Sequence, residues 1–342
     1  MSANIVAIQD LTIGYKHSRG PDYVVARHLR LSLTAGELVC LIGPNGVGKS
    51  TLLRTLAGMQ SPLAGCVLLD GHDIRNFKPR ELARRLSIVL TEQVNVGILS
   101  AYALVALGRI PYTDWMGKLT TRDEEVIRSA IHAVGAEELS ARNVSDLSDG
   151  ERQKIMIARA LAQEPTLMIL DEPTAYLDLP RRVEVMRILR RLARNSGSAV
   201  LLSTHDLDLA LRSADSIWLM RTGGIVEVGA PEDLVLTGAF EATFGSEGVQ
   251  FDRETGSFKL HIDQEGRVRV RGAGIATLWT KRALEREGFC VEEDDAAGQA
   301  CIEVSTTDSG TTWYTTVADE QHTHNNLHET IAFLRGRVPP RS

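Results

Sequence analysis

The segment GPNGVGKST, from Gly43 to Thr51, joins three glycines to a lysine and two hydroxyls. It follows the apolar run ELVCLI and opens a helical pattern at Lys49, the context that G-x-x-x-x-G-K-[ST] requires. Gly43, Gly46 and Gly48 let the backbone curl around phosphate oxygens, with Pro44, Asn45 and Val47 completing the loop. A helix start here adds positive potential. Lys49 is expected to bridge the β- and γ-phosphates of a nucleotide and Ser50 to set its hydroxyl on magnesium, with Thr51 next in the first turn. Downstream, LMILDEPT delivers Asp171 and Glu172 to the end of a buried strand. An acid there suits magnesium, and a second suits polarisation of an attacking water. LLSTHD ends another apolar strand on His205, either a structural histidine or a hydrogen-bonding sensor of the γ-phosphate. Finally LSDGERQ, Leu147 to Gln153, opens a helix with Ser148 and Gly150, a second phosphate-compatible terminus in the same chain.

These residues need elements to hold them. GELVCLIG, GCVLLDG, LSIVL, TLMILDE and SAVLLSTHD read as buried strands bounded by turns. Helical patterns such as KSTLLRTLAGM and RRVEVMRILRRLAR follow, so the expected fold class is α/β with a largely parallel sheet. Between Ser100 and Ser145 the pattern is helical without strands, which predicts a helical subdomain over about 96–150. From about Phe251 the character changes again. GRVRVRG, ACIEVST and TTWYTTV read as strands, TLWTKRALEREG and NNLHETIAFLRG as helices. A domain of residues 1–250 and a small α+β domain of 251–342 are therefore expected.

Composition removes several classes. Acids outnumber bases 44 to 38, a net charge of −6, where a nucleic-acid binder would carry a basic excess. Cys40, Cys66, Cys290 and Cys301 form no CxxC pair and sit in strand-like contexts, which predicts reduced, buried thiols. The N-terminus lacks a signal-peptide pattern, and no window offers the roughly 18 apolar residues of a membrane span. If the chain serves a membrane, it is expected to do so from the water side.

The ordered set GPNGVGKST, Gln93 in TEQVN, LSDGERQ, LMILDEPT, AYLD and STHD resembles the ATP-binding subunits of the ABC transporter superfamily, over about Ile5 to Val235. The resemblance implies a P-loop NTPase (ABC ATPase) core, ATP and Mg2+ as ligands, and a head-to-tail pair of identical subunits. Each ATP would lie between one subunit's GPNGVGKST and the other's Ser148 and Gly150. Tyr15, in LTIGY, would stack on adenine; Gln93 would touch magnesium or water and couple the site to a membrane partner. Asp178 would belong to a loop crossing to the opposite subunit, Glu172 would be the general base and His205 the γ-phosphate sensor. Asp149 and Glu151 stand where the family more often has glycine and glutamine. Asp149 is expected to turn away from phosphate, as a helix cap.

Without membrane helices, the chain resembles the separately encoded ATPase of an importer that works with a transmembrane permease dimer and an external substrate-binding protein, on the cytoplasmic side of the inner membrane. GRIPY, Gly108 to Tyr112, and its spacing to LSDGE resemble importers of iron–siderophore or haem first and cobalamin second. The ATPases of DNA repair or translation differ by coiled-coil inserts or tandem units. The histidines of HTHNNLH, His322, His324 and His328, read as a solvated helix entry rather than a metal site. The acidic tail, 15 acids against 11 bases, argues against nucleic acid, and the resemblance implies dimer contacts or regulation for it.

Overall fold

The computed structural model describes residues 4–18, 20–91, 98–245, 249–253, 255–260, 266–292, 300–308, 310–335 and 337–338. The chain forms two compact units, one of residues 1–245 with 251–258, the other of 246–250 with 259–342. In the first unit the strands are β1 (Asn4–Tyr15), β2 (Tyr23–Thr34), β3 (Leu38–Ile42), β4 (Ala64–Leu69), β5 (His72–Asp73), β6 (Leu86–Val89), β7 (Leu167–Leu170), β8 (Ala199–Ser203), β9 (Ser216–Met220) and β10 (Val226–Gly229). The helices are α1 (Lys49–Leu56), α2 (Pro79–Leu82), α3 (Ala101–Ala106), α4 (Thr121–Ala133), α5 (Asp149–Leu161), α6 (Leu179–Ser196), α7 (Leu207–Ser213), α8 (Pro231–Leu236) and α9 (Ala239–Phe244).

The six-stranded sheet runs β10-β9-β3-β8-β7-β6. It is parallel from β9 to β6, with β10 antiparallel at its edge. Strands β3, β7 and β8 are buried at every position, so each reads as an unbroken apolar run rather than an alternation. Their order in the sheet matters most: β3, β8 and β7 are neighbours, and each C-terminal end carries one of the motifs. Ligands of such sheets bind beyond the carboxyl ends of the strands.

A second sheet, β2-β1-β4-β5, is antiparallel. GCVLLDG, expected in the parallel sheet, is β4 of this one. Helices α3, α4 and α5 pack on each other through Leu104, Val105, Ile127, Ile131, Ile155 and Ile157, all buried. Arg109 of GRIPY is buried there, 2% exposed. Its guanidinium donates to Asp123 (2.9 Å), Glu164 (2.7 Å) and the Ala162 carbonyl (2.7 Å), and lies 3.9 Å over the Tyr112 ring. Burial pushes the Asp123 carboxyl up, but hydrogen bonds from Thr120 and Arg109 outweigh it and hold it below its ordinary range. Arg109→Met strands a buried carboxylate, so thermal or urea unfolding should show a loss of about 3–5 kcal/mol. A change below about 1 kcal/mol would mean that the buried network contributes little.

After α9 come β11 (Val249–Asp252) and β12 (Ser257–Leu260). Phe251 is 3% exposed and stacks with Phe240 and Phe258, and Phe258 stacks with Phe244. These rings belong to the first unit, beyond the boundary at residue 250. A chain ending at Leu260 should therefore fold and hydrolyse ATP at its basal rate. One ending at Gly248 loses Phe251 from the core and should be less stable by about 3 kcal/mol or more. Equal melting temperatures for the two truncations would contradict this.

The second unit comprises β13 (Gly266–Arg271), α10 (Ile275–Arg286), β14 (Phe289–Glu292), β15 (Ala300–Thr307), β16 (Gly310–Val317), β17 (Glu320–His324) and α11 (Leu327–Arg335). Its sheet runs β14-β13-β15-β16-β17. Val268, Leu284, Ile302 and Leu334 form its core, where the Trp313 indole donates to Thr280 Oγ1 at 2.8 Å. His322 and His324 lie on β17 and stack on Phe333, and Asn326 rather than a histidine caps the next helix, accepting from Glu329 N–H at 2.9 Å. The helix entry expected at the asparagines is present, with His328 in the first turn of α11, while His322 and His324 precede it on a strand. Cys40 is fully buried and its thiol is pushed up to about 12, mainly by that burial. Cys66, Cys290 and Cys301 are only partly covered, which corrects the expectation for those three.

Candidate functional site

The loop after β3 is shaped by backbone demands. Gly48 sits at φ 112° as the N-cap of α1, and a Cβ there would lie 2.1 Å from Val25 Cγ1. A Cβ on Gly43 would meet the Met220 carbonyl oxygen at 2.2 Å. Neither position accepts a side chain. No side chain caps α1, which leaves its first N–H groups for a ligand. Lys49, 7% exposed, donates from Nζ to the carbonyls of Gly43 (2.8 Å) and Pro44 (3.1 Å), so its ammonium lies along the loop. Burial pushes that ammonium down, while the carboxylates of Glu172 and Asp171 partly restore it.

The ends of β7 and β8 are tied to each other. Ser203 Oγ donates to Asp171 Oδ1 at 2.7 Å and accepts from the Glu172 backbone N–H at 2.9 Å. Thr91 Oγ1 donates to the Asp171 carbonyl at 2.7 Å, and Ser50 Oγ lies 3.5 Å from Asp171 Oδ1. Asp171 therefore meets the first turn of α1. Glu172 adopts φ 49°, a left-handed conformation that costs a non-glycine residue free energy, and its Oε1 pairs with His205 Nε2. Lys49, Ser50, Asp171, Glu172 and His205, read separately along the chain, thus meet in one site. Tyr15 joins them from β1, its hydroxyl hydrogen-bonded to Thr51 Oγ1 at 3.0 Å and its ring 6.4 Å from that of Tyr23.

LSDGERQ forms a capping box at the start of α5. Ser148 is the N-cap and accepts from Glu151 N–H, while Glu151 Oε2 accepts from the Ser148 N–H at 2.9 Å. The cap is thus Ser148, and Asp149, expected in that role, lies in the first turn with Arg152 at 3.8 Å. Gly150 is buried, because the Arg181 side chain crosses it: a Cβ there would lie 3.3 Å from Arg181 Cδ. Asp178 caps α6, accepting from Arg181 N–H at 3.1 Å. Gln93 lies outside the described residues. Sequence reasoning passed over Ser203, although a polar residue closing an apolar strand two places before His205 was a visible signal. It also missed Tyr176, 76% exposed at φ 65° beside Asp178.

The ABC transporter family matches residues 26–175, and the iron ABC transporter C-terminal domain matches residues 265–335. An uncharacterised ABC transporter ATP-binding protein of Methanocaldococcus jannaschii, MJ0873, is 42% identical over 74% of this chain and 85% of its own. The chain belongs to the ABC transporter ATP-binding subunits. This ABC ATPase is also 37% identical to the ferric enterobactin transport ATP-binding protein FepC of Escherichia coli, over 69% of this chain and 86% of that one. CbiO1 from Clostridium perfringens, part of the ABC transporter complex CbiONQ, shares the fold with a TM-score of 0.60. It is 26% identical, over 70% of this chain and 96% of that one. The subunit is an ATPase with a P-loop NTPase core. The sequence patterns alone did not reveal the tail's match to that C-terminal domain.

Proposed function

We propose that this subunit powers import of a ferric siderophore or haem, working as a head-to-tail pair beneath a transmembrane permease dimer served by an external binding protein. The observation that carries the cargo class is the tail's match to the iron ABC transporter C-terminal domain, and the likeness to FepC supports it. Among the described residues no helix is long and apolar enough to cross a membrane. In this reading its place is peripheral, on the cytoplasmic face of the cell membrane, which the likeness to importer ATPases supports.

In this reading Lys49 and the backbone N–H groups of Asn45 to Thr51 hold the phosphates, and Tyr15 stacks on adenine. Ser50 and Asp171 offer hard oxygen donors to magnesium, which suits an ion held by one carboxylate and substrate phosphates. Magnesium would neutralise charge building on the phosphates; Gln93 would touch it or the attacking water. Glu172, positioned through Ser203, takes the proton from that water. His205 holds Glu172 until it can turn toward the γ-phosphate. Ser148 and Gly150 serve the ATP of the other subunit. Tyr176, Leu179 and Val183, exposed by 76%, 65% and 48% around Asp178, give that crossing loop an apolar contact surface.

Uptake of radiolabelled ferric siderophore, haem and cobalamin by cells with and without the gene tests the cargo. Loss of siderophore or haem uptake alone is expected. Selective loss of cobalamin uptake would move the assignment to that cargo, and unchanged uptake of all three would overturn it.

A further inference from the structure

The first turn of α5 brings two acids to the place where, in the head-to-tail reading, a second subunit's γ-phosphate arrives. Asp149 has Arg152 beside it on the same helix. Glu151 is held from both sides. Its Oε2 accepts from the Ser148 N–H and from the Ser148 hydroxyl, both at 2.9 Å. Its Oε1 accepts from Arg142 Nη1 at 3.0 Å, and Arg142 Nη2 donates to the Asp146 carbonyl at 2.7 Å. A serine hydroxyl has one proton to give. While Glu151 takes it, Ser148 can turn only lone pairs toward a phosphate, and the carboxylate adds like-charge repulsion. Glutamine at this position, the more common residue, can accept the same proton but carries no charge, so it removes the repulsion.

We infer that Arg142 is the positioning residue that makes Glu151 compatible with a phosphate site: it neutralises the carboxylate, which lowers the repulsion of the partner's phosphate and weakens the carboxylate's pull on the Ser148 proton. Arg142 bonds Glu151 and the Asp146 carbonyl, so it acts through Glu151. The pair is partly exposed, 44% for Arg142 and 26% for Glu151 in the single subunit. Its effect is felt where closure excludes water and charge is screened less. This rests on the head-to-tail reading, since in an isolated subunit no phosphate faces Ser148.

The test is a double-mutant cycle read by steady-state ATPase activity of the full chain. Arg142→Gln, which can still donate to the Asp146 carbonyl, should lose about tenfold in kcat/KM, equivalent to about 1.4 kcal/mol. In a Glu151→Gln background the same change should cost less than about twofold, because no charge remains to neutralise. Arg142→Lys should keep most of the activity. If Arg142 only shapes the loop, the loss will be equal in both backgrounds and the inference is overturned. Should Arg142→Gln prove unstable, the ratio between Arg142→Lys and Arg142→Met in the two backgrounds decides in the same way. Ser148→Arg, run in parallel, separates the two levels. Full hydrolysis by that variant defeats the head-to-tail reading. Its inactivity together with a flat cycle defeats only the role of Arg142.

Discussion

Glu172→Gln should bind ATP and magnesium as the native subunit does and hydrolyse ATP about 10²–10⁴-fold more slowly, the loss expected when a general base is removed. The amide keeps the size of the side chain and can still meet His205, so the β7 and β8 ends should stay tied through Ser203. What it cannot do is accept the water's proton. A paired state that depends on hydrolysis to open should therefore accumulate with ATP bound, as a doubled mass by light scattering or gel filtration. Turnover within about threefold of the native rate would remove Glu172 from the role. The left-handed backbone at Glu172 makes the same point: such a conformation persists where surrounding contacts over-determine it, as they do at a site that must aim a carboxylate.

Ser148→Arg should leave nucleotide binding by the isolated subunit intact and lower its ATPase activity by about 10²-fold or more, since a lost preorganised donor alone costs about that and a bulky cation also blocks close approach. The two effects separate because GPNGVGKST and LSDGERQ are different half-sites in the proposed pair: among the described residues Lys49 bonds its own loop, and Ser148 its own capping box. Fluorescent nucleotide titration reports the first half-site and phosphate release reports the completed one. Loss of nucleotide binding by the Ser148→Arg monomer would place LSDGERQ in its own subunit's site.

Much of the site was legible in the sequence because its motifs are backbone requirements. Gly48 and Gly43 leave no room for a side chain, so the loop can be read without knowing its neighbours. The buried parallel strands β3, β6, β7 and β8 were legible for a related reason: continuous apolar runs are rare outside such sheets. The antiparallel sheet was not. Strand β1 changes register near Asp10, which adopts φ 49°, and the break interrupts the alternation that would have marked it. The apolar run of β4 says strand but not which sheet, because sheet membership is decided by distant partners. The same holds for Ser203, Arg142 and Arg181. Their roles depend on Asp171, Glu151 and Gly150, which only the fold brings near.

The measurement that bears most directly on the composite site is a mixing experiment. Lys49→Ala has a defective phosphate loop and Ser148→Arg a defective α5 terminus, so each alone should be inactive. In a mixed pair, the native loop of the Ser148→Arg subunit faces the native Ser148 of the Lys49→Ala subunit, and one of the two sites is whole. An equimolar mixture should hydrolyse ATP clearly faster than either variant alone, with activity rising as subunits exchange. A mixture no more active than its components would show that each chain completes its own site, and the head-to-tail account would be wrong.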